Sequence, residues 1–217
     1  MEVVFLFAEL IFLYLLSRRL IQAIYRLLFT IVRSRSGAIW IVTILFFPGT
    51  VVHELAHLFV AEVLRVRTGK ITLVPESLEG KEIKAGGVMI AETDPLRRTL
   101  IGLSPIYVGV GVLTAISNIP ILPILTFYCM FAVSNSMFSS KEDMKGVIPF
   151  TITVALFVAA GYFAGFRLGL TEELLAGLHP VVQALVRSLG MVLGVNLVVL
   201  AATSILLAVL APRRKNA

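Results

Sequence analysis

The chain has 217 residues, of which 58% are hydrophobic and 15% are charged, with a net charge of +6 and a mean hydropathy of +0.96. Soluble globular domains have about 45–50% apolar and about 25% charged residues, so this composition excludes an ordinary soluble domain. It predicts one all-α polytopic membrane domain over residues 1–217, multi-pass in the cell membrane. Most basic residues stand at the ends of apolar runs, where lipid headgroups account for them. We therefore expect the lipid bilayer, and no nucleic acid, as a partner, and the oligomeric state stays open.

Apolar runs predict about six transmembrane helices, since about 20 mostly apolar residues cross a hydrocarbon core of about 30 Å. The runs cover residues 3–16, 37–66, 98–117, 119–138, 147–165 and 182–211. In the second run we expect Pro48 and Gly49 to bend or break the helix, because proline lacks an amide donor and glycine is a poor helix former. Thr50 would then serve as the N-cap of a new helix.

An arginine-rich segment over residues 17–35 follows the first run. Arg19, Arg26 and Arg33 recur every seven residues, so they form one stripe of a helix with apolar neighbours opposite. This pattern predicts a separate helix lying in the membrane interface. In a six-crossing topology its arginines fall on the side opposite to the basic residues of 65–98, in conflict with the positive-inside rule.

Residues 67–97 are more polar than the rest of the chain. The short runs Ile71–Val74 and Val88–Ala91 flank a glycine-containing middle, which predicts a short β-hairpin between the second and third helices. One interpretation is a plain surface hairpin. The other is an edge strand that binds an extended peptide substrate, with Gly86 and Gly87 allowing the second backbone to come close.

The stretch VVHELAHLFV contains the strongest chemical signal. His53 and His57 are four residues apart, so on a helix both can reach one metal ion, and Glu54 lies beside them. In a zinc hydrolase such a glutamate takes a proton from water held on the metal and passes it to the leaving amine. The alternative is a pair of histidines that only form hydrogen bonds between helices. Polar groups in a membrane helix are costly and mark functional sites, so we expect one Zn²⁺ per chain.

A second stretch, Asn135-Ser-Met-Phe-Ser-Ser-Lys-Glu-Asp143, adds a resemblance. Together with HELAH it resembles the site-2 protease family of membrane-embedded zinc metalloproteases, which carry HExxH on one transmembrane helix and Asn-x-x-Pro-x-x-x-x-Asp-Gly on a later one. The spacing from asparagine to aspartate matches, whereas Phe138 replaces the proline and Met144 the glycine. The resemblance implies that Asp143 is the third zinc ligand and that Asn135 binds the substrate backbone or the developing oxyanion.

The resemblance thus implies an intramembrane zinc metalloprotease that cuts transmembrane protein or peptide substrates, with Glu54 activating the water. Alternatives remain for two residues. Asp143 also fits a helix-capping box that starts at Ser140, and Asn135 also fits a polar contact between helices. The function has alternatives as well, namely a transmembrane metal-ion transporter, or an inactive relative that binds membrane proteins without cutting them.

Overall fold

The computed structural model describes residues 2–72, 76–78, 82–84, 87–118, 123–138, 147–165 and 172–210. Most of this chain is helical. The helices are α1 (Glu2–Val32), α2 (Arg35–Val63), α3 (Pro95–Asn118), α4 (Pro123–Ser136), α5 (Val147–Phe163) and α6 (Glu172–Leu210). Each predicted apolar run lies mostly within one of them. Three of the described helices are long and apolar enough to cross a membrane, at Arg35–Val63, Pro95–Ile116 and His179–Leu210.

The first helix differs from the prediction, because α1 continues without a break through the segment 17–35 that we expected to form a separate interfacial helix. The reason is that its apolar face continues as well. Leu20 and Ile24 are buried in a cluster with α2 and α4 side chains, while Arg19 and Arg26 point outward. Packing along this face keeps the helix intact where the charge pattern alone suggested a boundary.

The second helix also runs on where we predicted a break, since α2 is continuous through Pro48. Thr50 is not an N-cap, because its hydroxyl donates to the Phe46 carbonyl one turn back at 3.3 Å. The helix begins instead after Ser34, whose hydroxyl accepts from the Gly37 amide at 3.2 Å. The expected start near residue 50 is therefore wrong, and packing on the neighbouring helices holds the two halves together.

Gly49 has a packing role. A Cβ atom at this position would collide with the backbone of Ala132 and lie 2.5 Å from the Ser136 hydroxyl, both in α4. The two helices therefore approach each other so closely that only glycine fits. Tyr128 donates its hydroxyl to the Leu45 carbonyl at 3.1 Å, one turn earlier in both helices. These contacts show that α2 and α4 lie side by side and run in the same direction.

The predicted hairpin is present. Strand β1 (Thr68–Thr72) pairs antiparallel with β4 (Gly87–Ile90), and β2 (Glu76–Leu78) pairs antiparallel with β3 (Glu82–Lys84). In the outer pair Ile71 lies opposite Val88. Both β1 and β4 contact α2, so the hairpin packs against the helix that carries the histidines.

The first and last helices pack along each other and run in the same direction. Glu9 of α1 faces Gly190 of α6, where an added Cβ would lie 3.4 Å from the Glu9 carboxylate. Further along both helices, Leu20 and Val199 belong to the same apolar cluster. Six successive single crossings would make the first and last helices antiparallel. The apolar contacts of α1 with α2, and those of α2 with α3, run in opposite senses along the chain, and α4 is parallel to α2. The first four helices therefore alternate in direction, and the alternation expected from six crossings is broken after α4.

Candidate metal centre

The helix α2 places the three residues of the HELAH stretch in the interior. His53, Glu54 and His57 each keep 4% of their surface exposed. His53 and His57 are one turn apart on the same face, and Glu54 is three residues before His57, which also makes these two neighbours on the helix surface. His57 is six residues from the end of α2 at Val63, or about 9 Å along the axis.

The two imidazoles point their Nε2 atoms at each other. These atoms are 3.2 Å apart, and the ring planes cross at 85°. Zinc binds histidine nitrogen at about 2.0–2.1 Å with tetrahedral angles, which separates two nitrogen ligands by about 3.3 Å. The distance between the two Nε2 atoms therefore fits both a hydrogen bond between the imidazoles and two ligands of one tetrahedral zinc ion.

The other ring nitrogen of His57 is held by α3. Its Nδ1 lies 2.8 Å from the Ile101 carbonyl oxygen and 3.3 Å from the Ser104 hydroxyl oxygen. A carbonyl oxygen can only accept, so Nδ1 carries the hydrogen and donates it. In a neutral imidazole this leaves the lone pair on Nε2, the atom that faces His53, which is the tautomer a metal ligand needs.

A third ligand is not located within the described ranges. Asp143 lies outside them, and the described part of the chain brings together no group of three or more His, Cys, Asp or Glu side chains that could hold a metal ion. The position of α4 is nevertheless compatible with Asp143 as a third ligand. Ser136 ends α4 against Gly49, one turn before His53, and α4 runs toward the histidine end of α2. The end of α4, seven residues before Asp143 in the sequence, thus lies near the two histidines.

No protein-family model, curated protein or solved structure matches the chain. The chemistry of the chain is therefore inferred from the side chains described above. Two convergent imidazole nitrogens and an adjoining buried carboxylate are the groups from which a pair of metal ligands and a proton acceptor can be built.

Asn135 is buried and engaged by another helix. Its amide donates to the Asn196 side-chain oxygen at 2.9 Å and to the Phe131 carbonyl at 2.8 Å, while the Asn196 amide donates back to the Asn135 oxygen at 3.3 Å. This is the polar contact between helices that was the second interpretation of Asn135. Asn196 was missed from the sequence, although an asparagine in an apolar run was a usable signal. A substrate contact by Asn135 requires this pair to open.

Only one of the two hairpin glycines lies within the described residues. Gly86 lies outside the described residues, and Gly87 is the first residue of β4, opposite Thr72. The Thr72 hydroxyl donates to the Gly87 carbonyl at 3.2 Å. The side of β4 that faces β1 is therefore used within the hairpin, so an added peptide has to pair along an outer edge.

The helix α3, which holds His57, begins at a charged cap. The Asp94 carboxylate accepts from the Arg97 amide at 3.0 Å and forms an ion pair with the Arg97 guanidinium at 3.2 Å. The hydrogen bond from the amide, followed by the attraction to the guanidinium, lowers the pKa of Asp94 although some desolvation opposes it. The cap fixes the start of α3 two turns before Ile101.

Proposed function

We propose that the chain is an intramembrane zinc endopeptidase of the cell membrane, with one zinc ion held by His53, His57 and Asp143. The observation that carries the proposal is the convergence of the two imidazole Nε2 atoms, 3.2 Å apart, beside the buried Glu54. The helix that bears them is apolar enough to cross a membrane. The resemblance to site-2 proteases supplies Asp143 as the third ligand.

Zinc, when bound, would lower the pKa of a water molecule and polarise the peptide carbonyl. The protein's own residues supply the rest. Glu54 accepts the proton as the water oxygen attacks the carbonyl carbon, and it returns the proton to the nitrogen as the C–N bond breaks. His57 is kept in the required tautomer by its Nδ1–H bond to the Ile101 carbonyl. These roles balance the hydrolysis of one peptide bond.

A transmembrane protein or peptide is the substrate class that fits this location. A helical segment shields its own carbonyls, so it has to unwind before it is cut. The β1–β4 hairpin packs against α2, and an unwound segment could add to its outer edge near Gly86 and Gly87. The amide of Asn135, once released from Asn196, would be a further donor for the substrate backbone.

We infer five membrane crossings from the direction of the helices, made by α1, α2, α3, α4 and α6. Of these, α2, α3 and α6 contain the spans that are long and apolar enough by themselves. With α1 and α6 parallel, α5 does not cross between α4 and α6. Its described side chains are mostly exposed, and its main helix contact is with α3. In this topology the loop after α2 and the end of α4 lie on one side of the membrane, at the end of α2 that carries the histidines.

The experiment is a cleavage assay in vesicles. The purified full chain is reconstituted with zinc and a set of single-span model peptides that differ in helix stability, and the products are read by mass spectrometry. We expect cleavage of the less stable helices by the wild type and none by Glu54→Gln, which keeps the metal ligands. Zinc uptake into the vesicles without cleavage would instead support the transporter. Zinc binding with neither cleavage nor uptake would support the inactive relative.

A further inference from the structure

The Ile101 carbonyl, which accepts from His57, has no amide partner four residues later in its own helix because a proline stands there. Pro105 lies inside α3. In an α-helix the amide of each residue donates to the carbonyl four residues earlier, and proline has no amide hydrogen. For Pro105 that carbonyl belongs to Ile101. Its oxygen is therefore open to other donors although it lies in the middle of a helix.

Two side chains use this oxygen. His57 Nδ1 lies 2.8 Å from it, and the Ser104 hydroxyl donates to it at 2.7 Å. The Ser104 oxygen is also 3.3 Å from His57 Nδ1, so it offers the same hydrogen a second acceptor. Ser104 is fully buried and Ile101 is 1% exposed. Both lone pairs of the carbonyl are thus used in a place that water does not reach.

We propose that Ser104 and Pro105 are positioning residues that set the tautomer and ring orientation of His57. Pro105 frees the Ile101 carbonyl, and Ser104 supports the hydrogen bond between that carbonyl and the imidazole. Partners of this kind change metal affinity by about 10–100-fold in other zinc sites. The effect on metal binding rests on the proposed function, whereas the tautomer of His57 does not.

The other two helix-internal prolines with described neighbours do not share this arrangement. The carbonyl that would accept from residue 180 belongs to Ala176, and the carbonyl that would accept from residue 48 belongs to Ile44. Ala176 and Ile44 are both exposed. Pro180 is also far along the chain from the histidines. Pro180→Ala therefore restores a helical hydrogen bond as Pro105→Ala does, but away from His57, and is the matched control.

The test combines two measurements on the full chain in detergent micelles. The first is the ¹⁵N shifts of the His57 ring in the metal-free protein, which report the tautomer. The second is the zinc dissociation constant. Variants are Pro105→Ala, Ser104→Ala, Ser104→Thr and Pro180→Ala, each with its unfolding transition as a check on folding.

We expect the Nδ1–H tautomer in the wild type. Pro105→Ala restores an amide that competes for the Ile101 carbonyl, so the other tautomer should appear and zinc affinity should fall by about 10–100-fold. Ser104→Ala should lose less zinc affinity, up to about tenfold. Ser104→Thr should have an affinity close to that of the wild type, because it keeps a hydroxyl group. An Nε2–H tautomer in the wild type, or unchanged tautomer and affinity in both Pro105→Ala and Ser104→Ala, would overturn the proposal. Wild type that binds no zinc but shows the expected tautomers would contradict only the metal function.

Discussion

Asn135 and Asn196 form a reciprocal amide pair between α4 and α6. The two side chains are 1% and 0% exposed, and each donates to the other's oxygen, at 2.9 and 3.3 Å. Asn135 begins the stretch that resembles the second site-2 protease motif, so the pair ties the last helix to the segment that leads to Asp143.

Replacing both members of this pair should destabilise the protein by less than the sum of the two single replacements. Asn196→Leu leaves the Asn135 amide buried with fewer partners, which should cost about 1–2 kcal/mol. The double variant Asn135→Leu with Asn196→Leu removes both groups and should cost less than the sum of the single changes. Unfolding in detergent micelles measures these values, with Leu197→Ala, an exposed position on the same helix, as the control. Additive costs would show that the pair is not coupled.

The close approach of α2 and α4 can be tested at Gly49. Gly49→Ala should push the helices apart and cost about 1–3 kcal/mol, because the new Cβ meets the Ala132 backbone. Gly111→Ala in α3 is the matched control, since nothing lies within 4 Å of a Cβ there, and alanine gains up to about 1 kcal/mol of helix propensity. Thermal unfolding of both variants measures the difference. Equal effects of the two changes would contradict the observed helix contact.

The α3 cap should make stability depend on acid pH. Because folding lowers the pKa of Asp94, its charge stabilises the folded state above the ordinary aspartate value of about 3.9. This contribution is lost as the pH falls through the lowered folded value. The midpoint temperature of thermal unfolding should therefore fall more in acid for the wild type than for Asp94→Asn. The side-chain oxygen of that variant can still accept from the Arg97 amide. Parallel pH profiles for the two proteins would exclude a role for the charge.

The proposed role of Asp143 as third ligand can be tested against its neighbour in the chain, Glu142. Asp143→Ala should weaken zinc binding at least about tenfold, whereas Glu142→Ala, an equal change in charge, should leave it close to wild type. Equilibrium dialysis against buffered zinc gives both values. Full zinc affinity in Asp143→Ala would favour the capping-box interpretation and would require another third ligand.

The positions of the helices and of the hairpin could be predicted because they depend on local patterns. Apolar runs locate the helices, and the short runs Ile71–Val74 and Val88–Ala91 around a polar, glycine-containing middle locate the outer strands. The pairing of His53 with His57 also follows from a spacing of four residues on one helix. In these cases the sequence contains the whole signal within about one or two turns or one strand.

The errors arose where distant segments meet. The continuity of α1 depends on apolar neighbours from α2 and α6, and the close approach at Gly49 depends on the α4 backbone. The contact of His57 with the Ile101 carbonyl joins residues 44 positions apart. The role of Ser104 and Pro105 becomes visible only once α3 is placed beside α2, which no local pattern specifies.

The most direct test of the central claim is the zinc content of the purified, folded chain. The account predicts about one zinc per chain, lost in His53→Ala and in His57→Ala but retained in Glu54→Gln, which removes the proposed base and no ligand. Circular dichroism of each variant confirms that it is folded. A folded wild type that takes up no zinc when it is supplied, or histidine variants that keep it, would contradict the metal centre.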